Sequence, residues 1–324
     1  MNIALLPIPL SDTALRLANQ LGVTQIVAGR PADDSGPAWE FLPLLRMRQR
    51  VEAAGLKLTV IEGIPVTDRI KLGLPGRDED LDHFCQSVSN MGAAGIPILC
   101  YNWMAGFGWL RTSLADRGRG GALVTSYKHE LMNNAPLTEY GEVHDDQLWE
   151  AFEYFLKRVV PIAESSGVKL ALHPDDPPLS PIRGMARIIR SFEAFKRVIE
   201  LVPSPNNGLT FCQGNFAAME DVPDVPEAIR YFGQRNKIFF SHFRDVSSKV
   251  PSFSEVFHDE GPTDMLACMQ AYYDVGFEGP IRPDHAPTLE GESNDHPGYM
   301  IMGKVFAIGY MKGLIEAVEK NRAS

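Results

Sequence analysis

The sequence predicts an α/β protein, a single closed (β/α)8 barrel (TIM barrel) over residues 1–324. Eight short apolar segments recur along the chain, and each is followed by a segment with helical patterning. Several of the apolar segments lack polar alternation, which is typical of strands buried on both faces of a parallel sheet. Eight successive strand–helix units favour a closed barrel over an open sheet.

The eight predicted strands share short runs rich in Ile, Val, Leu or Phe. In chain order they are residues 2–8, 24–29, 56–64, 96–102, 168–173, 208–213, 237–243 and 279–284. The predicted helices begin at capping or acidic residues, and several end at glycine. They are residues 11–22, 39–55, 78–92, 145–167, 186–201, 225–232, 263–277 and 296–320.

Two long stretches, 103–144 and 244–262, carry no clear periodicity. Long connections of this kind in a compact domain usually act as lids, subunit contacts or binding loops. We therefore expect one barrel domain whose long loop 103–144 serves binding or assembly.

The charge balance is acidic, with a net charge of −10. Such a surface repels a phosphate backbone, so we expect no nucleic-acid partner. No apolar run approaches the ~20 residues of a membrane span, and the N-terminus lacks the basic flank of a signal peptide. The four cysteines form no CxxC pair, so free thiols in the cytoplasm are expected.

Four neighbouring strands end on residues of the kind that bind metals. His173, Cys212, His242 and Asp284 stand at or near the ends of the fifth to eighth predicted strands. Each has an ordinary explanation alone: a structural histidine, a small buried thiol, or an aspartate paired with Arg282. Because the carboxyl ends of barrel strands meet at one face, the joint pattern predicts a divalent metal site.

The stretch KLALHPDDPP, residues 169–178, leads from a strand directly into prolines. The prolines fix the turn after His173, which suits a ligand whose geometry must be held closely. Imidazole, thiolate and carboxylate donors together suit Zn²⁺, Fe²⁺, Mn²⁺, Co²⁺ or Mg²⁺, and the residues alone leave the choice open.

Several segments of the chain resemble mannonate dehydratases of the UxuA type. HPDDPP and RPDH carry the resemblance most specifically, and IKLGLPGRDED, CYNWM, LRTSLA, GLTFC and HFRDV extend it. It runs from about residue 50 to the end of the chain.

The resemblance implies a xylose-isomerase-like barrel that dehydrates D-mannonate to 2-keto-3-deoxy-D-gluconate. It implies a divalent metal, with Mn²⁺ favoured and Fe²⁺, Co²⁺ or Zn²⁺ as alternatives, held by the four strand-end residues. It also implies that His285 and Tyr299 are the acid and base residues. Which of the two is the acid and which is the base stays open. A homodimer acting on a small sugar acid is also expected.

Further residues are candidates for holding the sugar acid, because arginine pairs with carboxylates through two hydrogen bonds and amides and imidazoles bind hydroxyls. They are Asn102, Arg111, Arg187, Arg244 and His258.

The chain departs from the family pattern at four places. These are residues 286–287, residues 213–215, the N-terminal LLPIPLSD and the loop 28–38. The substrate could therefore be a different sugar acid or a keto-sugar. A sugar isomerase or epimerase is the second alternative, although the thiol of Cys212 argues against it. A nuclease related to abasic-site endonucleases and a non-catalytic sugar-binding protein are weaker alternatives.

Overall fold

Eight parallel strands close into a barrel in the structure, a computed structural model that describes residues 1–323. Each of the eight predicted strands is present, so the predicted fold class is confirmed. In chain order the strands are β1 (Asn2–Leu5), β2 (Gln25–Ala28), β3 (Lys57–Glu62), β4 (Ile98–Asn102), β5 (Ser113–Arg117), β6 (Leu123–Lys128), β7 (Lys169–His173), β8 (Asn207–Cys212), β9 (Ile238–Phe243), β10 (Ser252–Ser254) and β11 (Pro280–Pro283). The barrel order is β1-β11-β9-β8-β7-β4-β3-β2.

Helices follow the barrel strands and pack around them. They are α1 (Asp12–Gln20), α2 (Phe41–Ala53), α3 (Asp68–Leu72), α4 (Arg77–Ala93), α5 (Asp145–Ser166), α6 (Phe192–Leu201), α7 (Gln213–Ala218), α8 (Val225–Gly233), α9 (Met265–Asp274) and α10 (Ile301–Ala323). The short helices α3 and α7 were not predicted, because five or six residues are too few to show a helical period.

The strand register brings polar residues side by side at one end of the barrel. His242 on β9 is the register partner of Cys212 on β8 and of Arg282 on β11. Asn102 on β4 is the partner of His173 on β7. Neighbouring parallel strands lie ~4.8 Å apart, so these side chains are within reach of each other across the barrel mouth.

Aromatic side chains of α5, α4 and the β4 region pack together in the outer core. Phe155 of α5 is fully buried, and its ring lies 5.1 Å from Phe84, 5.6 Å from Tyr101 and 5.2 Å from Trp103. These rings interlock edge-to-face or tilted, which adds to the free energy gained from their burial.

Truncation at this point tests the packing. We expect Phe155→Ala to destabilise the protein by about 3–5 kcal/mol, the usual cost of a large cavity in a core. Thermal unfolding followed by circular dichroism measures it. The exposed Glu150→Ala on the same helix is the matched control and should leave the melting temperature nearly unchanged. A Phe155 variant as stable as this control would contradict the packing argument.

The two stretches predicted to be irregular form a second sheet, so that prediction was wrong. The strands β5 and β6 come from residues 103–144 and β10 from residues 244–262, and they pair antiparallel in the order β10-β6-β5. Strands of three to six residues with mixed polarity carry too weak a period to be read from sequence.

The predicted helix 186–201 begins six residues later, at Phe192. The side chain of Ser191 caps it by accepting a hydrogen bond from Ala194 N at 3.0 Å. Ahead of the cap, Ile189 N donates to Asp175 Oδ2 at 2.7 Å, which ties this segment to the β7 loop instead of to a helix.

The last helix begins at Ile301 and not at residue 296. Gly298 has φ +82°, a left-handed conformation that does not continue into a helix, and Tyr299 N closes a turn onto His296 O at 2.8 Å. Tyr299 therefore lies in the turn before the helix and not on a helix face.

Among residues 1–323, no helix combines the length and the apolar character needed to cross a membrane.

Candidate functional site

A cavity of about 820 Å³ opens at the carboxyl end of the barrel strands. Many of the residues that line it stand near strand ends or in the loops that follow the strands. These are Glu62, Cys100, Tyr101, Asn102, Met104, Trp109, His173, Asp176, His242, Arg282, Asp284, His285 and Tyr299. Polar side chains converging in one apolar-walled cavity at this face of a barrel mark the active-site position.

The four residues predicted as metal ligands meet at the mouth of the barrel, where His173, His242 and Asp284 line the cavity and Cys212 is buried next to them. One donor atom each from His173, Cys212 and His242 lie within 4.8 Å of one another. Asp284 Oδ2 lies 3.7 Å from Cys212 Sγ and 3.7 Å from His242 Nδ1. The geometry therefore brings together two imidazoles, a thiol and a carboxylate from four neighbouring strands.

Each histidine of this group is held through one ring nitrogen, which leaves the other free. His173 Nδ1 is 2.7 Å from the carbonyl of Pro174, which can only accept, so this nitrogen donates. His242 Nε2 likewise donates to the carboxylate of Glu62 at 2.7 Å. The buried Nδ1 of His242 has no hydrogen-bond partner among the described residues. Metal-ligating histidines are held in this way, through their second nitrogen.

Glu62 is a charged acceptor in this arrangement. Its burial opposes ionisation, but the charges of Arg282 and then of His242 lower the pKa of Glu62 to about 2. Arg282 Nη2 contacts Glu62 Oε2 at 3.1 Å, and Arg282 Nη1 contacts Asp284 Oδ1 at 2.8 Å. Asp284 therefore pairs with Arg282, the ordinary explanation that its sequence suggested, and it also lies close to Cys212 and His242.

The charges around the site leave an excess of negative charge. Three buried guanidiniums face four carboxylates in one connected network. The members are Arg111, Arg244, Arg282, Glu62, Asp176, Glu255 and Asp284. The excess grows if Cys212 is a thiolate. A bound divalent cation would offset it, because uncompensated buried charge is costly.

The two residues predicted to exchange protons are in direct contact. His285 Nε2 lies 3.0 Å from Tyr299 Oη, and both side chains line the cavity. The ring of Trp109 lies 5.2 Å from the His285 ring and is tilted by 60° to it. Burial and then the charge of Asp284 raise the pKa of Tyr299, so its phenol keeps its proton at neutral pH.

Among the predicted sugar-binding residues, only Asn102 lines the cavity in the described part of the chain. Arg111 is bound by Asp176 and Glu255, and Arg244 by Asp176, Glu255 and Asp284. Both arginines lie behind the cavity wall, where their guanidiniums are engaged by carboxylates of the protein.

Arg187 and His258 also lie outside the lining of the cavity in the described chain. Arg187 Nη2 donates to the carbonyls of Phe107 and Gly108, so it fixes the segment that leads to Trp109. His258 is fully buried, and burial lowers its pKa to about 4, which keeps its ring neutral.

Sequence reasoning missed two carboxylates, Glu62 and Glu255. Glu62 ends β3, so the rule that located His173 at the end of β7 would have found it too. Glu255 follows the three-residue strand β10 in a stretch read as irregular, and no pattern in the sequence indicated it.

The four departures from the family pattern differ in where they lie. Residues 6–10 and 28–33 line the cavity on the side of β1 and β2. Residues 286–287 and 213–215 do not line it in the described structure. Asn215 Oδ1 accepts from Arg244 Nη2 at 2.9 Å, and a Cβ on Gly214 would lie 2.3 Å from Arg244 Nη1. This second departure therefore accommodates Arg244 and does not shape the cavity.

Comparison with known proteins gives one consistent family. The family model described as D-mannonate dehydratase (UxuA) matches residues 11–139 and 135–324. The mannonate dehydratase of Thermotoga maritima is 37% identical over 319 residues, covering 88% of each chain. Mannonate dehydratase 2 of Halalkalibacterium halodurans is 36% identical over 310 residues, covering 87% of this chain and 89% of that protein.

Solved structures agree with the sequence relatives. The crystal structure of mannonate dehydratase from Streptococcus suis serotype 2 matches with a TM-score of 0.93 and 33% identity, covering 99% of this chain and 96% of that chain. The D-psicose 3-epimerase of Clostridium cellulolyticum H10 matches with a TM-score of 0.63 and 12% identity over 99% of both chains, which shows a shared fold alone. The chain therefore belongs to the D-mannonate dehydratase (UxuA) family of hydro-lyases, as its sequence motifs indicated.

Proposed function

We propose that this chain dehydrates D-mannonate to 2-keto-3-deoxy-D-gluconate with the help of a divalent metal. The observation that carries the proposal is that the four strand-end ligand candidates meet beside the cavity that His285 and Tyr299 line. Loss of a proton from C2 and of hydroxide from C3 needs both charge stabilisation and proton transfer, and these two groups can supply them.

The residues His173, Cys212, His242 and Asp284 would hold the metal. They fit such a role because both histidines present a free nitrogen, and because the surrounding network carries excess negative charge. When bound, a divalent cation would stabilise negative charge that develops on the substrate carboxylate. Mn²⁺ is the proposed metal, from the family resemblance, and mixed nitrogen, oxygen and sulfur donors also suit Fe²⁺, Co²⁺ or Zn²⁺.

The proton transfers are proposed for His285 and Tyr299. A neutral phenol donates its proton readily only into a hydrogen bond with a base, and His285 Nε2 is such a base at 3.0 Å. The pair can take a proton from C2 and return one to the departing C3 hydroxyl. Trp109 shields one face of His285 from water, and Asn102 offers an amide to the sugar hydroxyls.

A second candidate is the same chemistry on a different sugar acid. Two segments that depart from the family pattern, residues 6–10 and 28–33, line one side of the cavity. A volume of about 820 Å³ is near the upper part of the usual ~300–1,000 Å³ range of small-molecule sites and exceeds what a six-carbon acid needs.

A substrate screen tests the proposal. The purified chain, loaded with Mn²⁺, is incubated with D-mannonate and with a panel of other aldonic acids, and 2-keto-3-deoxy products are quantified. We expect turnover of D-mannonate. Preference for another aldonate would favour the second candidate. An Mn²⁺-loaded protein that converts no aldonate would contradict both.

Glu62 gives a test of the metal site that does not need the substrate. Glu62→Gln removes the charge that holds His242 by its Nε2, so we expect Mn²⁺ affinity to fall by roughly 10–100-fold, as for other partners of metal-binding histidines. Titration calorimetry measures it. The matched control, Glu150→Gln on the exposed face of α5, should bind Mn²⁺ like the wild type. Equal affinities in both variants would contradict the role of Glu62.

Two further predictions from sequence belong to this proposal. A homodimer and a cytoplasmic location are expected for an enzyme of this class. The four cysteines are free thiols in the described chain, which agrees with a reducing compartment.

A further inference from the structure

Glu255 connects the three-stranded sheet β10-β6-β5, here called the accessory sheet, to the His285–Tyr299 pair. It directly follows β10, and its backbone N donates to Thr125 O at 2.9 Å, next to the pairing of β10 with β6. Its side chain is nearly fully buried, and its Oε1 lies 3.0 Å from His285 Nδ1. Glu255, His285 and Tyr299 thus form one hydrogen-bonded chain that ends in the cavity.

Two arginines keep Glu255 ionised and fixed. Arg244 Nη1 donates to Oε2 at 2.8 Å, and Arg111 Nη2 donates to Oε1. Burial opposes ionisation, but these two guanidiniums hold the pKa of Glu255 below its usual range. An ionised carboxylate only accepts hydrogen bonds, so His285 Nδ1 carries a hydrogen.

We propose that Glu255 is a positioning residue that fixes His285 as the Nδ1–H tautomer, with Nε2 as the acceptor facing Tyr299. The accessory sheet, formed by the stretches that looked irregular in sequence, then serves to deliver this carboxylate. The proposal rests on the proposed function in one respect, that His285 and Tyr299 act on the substrate.

The fixed tautomer gives the proton transfer a direction. As the C2–H bond of the substrate breaks, its proton bonds to Tyr299 Oη, and the former phenol hydrogen bonds to His285 Nε2. The imidazolium that results lies against the carboxylate of Glu255, which stabilises it. The reverse transfer from the pair protonates the C3 hydroxyl, which leaves as water, so protons and charges balance.

The tautomer is measured directly by nitrogen NMR on the full chain labelled with ¹⁵N-histidine. The sample is loaded with diamagnetic Zn²⁺, and His285 is identified by the signals lost in His285→Asn. We expect the wild type to show hydrogen on Nδ1 and an unprotonated Nε2. A wild-type His285 with hydrogen on Nε2 and none on Nδ1 would overturn the proposal, whether or not the chain turns over D-mannonate.

Two variants separate positioning from general loosening of the network. Glu255→Gln should change the His285 nitrogen signals and lower kcat by roughly 10²-fold or more, the scale of a proton-transfer contribution, with KM changed only a few-fold. Asp176→Asn removes another carboxylate bound to Arg111 and Arg244. Asp176 lies within 4.8 Å of His285 but makes no hydrogen bond to it, so this variant should keep the Nδ1–H tautomer of the wild type.

The remaining outcomes are also decisive. Unchanged kcat in Glu255→Gln, or identical His285 signal changes in both variants, would contradict a positioning role. If Glu255→Gln does not fold, Glu255→Asp keeps the charge on a shorter side chain. Glu255→Asp should then keep the Nδ1–H tautomer. It should also be more active than any folded variant that lacks a carboxylate at position 255. A wild type inactive on D-mannonate but with the expected tautomer would contradict the proposed function and leave the positioning geometry supported.

Discussion

Cys212→Ala is expected to lose both its bound metal and its dehydratase activity. Cys212 is fully buried, and its Sγ lies among donor atoms of His173, His242 and Asp284. Alanine removes the only sulfur donor of this group and leaves a gap between the two histidines. Charge stabilisation by a metal contributes several kcal/mol, so we expect activity to fall by about 10³-fold or more.

The measurement is metal content by mass spectrometry after gel filtration, together with the rate of 2-keto-3-deoxy product formation. Cys85→Ala is the matched control, because Cys85 is a free, half-buried thiol on α4, away from the cavity. It should keep metal and activity. A Cys212→Ala protein that retains stoichiometric metal and normal turnover would contradict the four-residue site.

The ligand candidates could be predicted because the barrel converts sequence order into proximity. Each of the four residues stands within one residue of the end of a strand, and the carboxyl ends of all eight strands meet at one face. The same rule extends to Glu62 and Asn102, at the ends of β3 and β4. The rule therefore accounts for Glu62, Asn102, His173, His242 and Asp284 among the residues that line the cavity.

The arginines show what the sequence could not supply. Arg111 and Arg244 were expected to bind the substrate carboxylate, since arginine suits that role. In the structure Asp176 and Glu255 bind both arginines. Asp176 is 65 residues and Glu255 is 144 residues from Arg111 in the chain. The residues next to an arginine in sequence do not indicate whether its carboxylate partner belongs to a ligand or to the protein.

The accessory sheet escaped prediction for a related reason. Residues 126–128 pair with residues 252–254, and these short strands of mixed polarity show no clear period of two. Only the assembled sheet reveals that Glu255 is brought to His285. The sequence thus indicated the proposed proton-transfer pair, whereas the position of Glu255, which we propose to orient it, depends on a long-range pairing.

Tyr299→Phe is expected to separate proton transfer from metal binding. The substitution removes only the Oη that lies 3.0 Å from His285 Nε2, and Phe fills the same space beside Lys304 and the cavity. The four ligand candidates are untouched, so metal content should match the wild type. Loss of a proton-transfer group typically lowers the rate by about 10²–10⁴-fold, and we expect kcat to fall in this range with KM nearly unchanged.

The control for this variant is Tyr310→Phe, a half-buried tyrosine on α10, about three turns beyond Tyr299. It removes the same atom type from a position outside the cavity lining, and should leave kcat unaffected. A fall in kcat of less than about threefold in Tyr299→Phe would assign the proton transfers to His285 alone. Threefold corresponds to about 0.65 kcal/mol, well below the ~2.7 kcal/mol of a 10²-fold proton-transfer contribution. Loss of metal in Tyr299→Phe would instead mean that the phenol stabilises the ligand group, since no ligand candidate is altered.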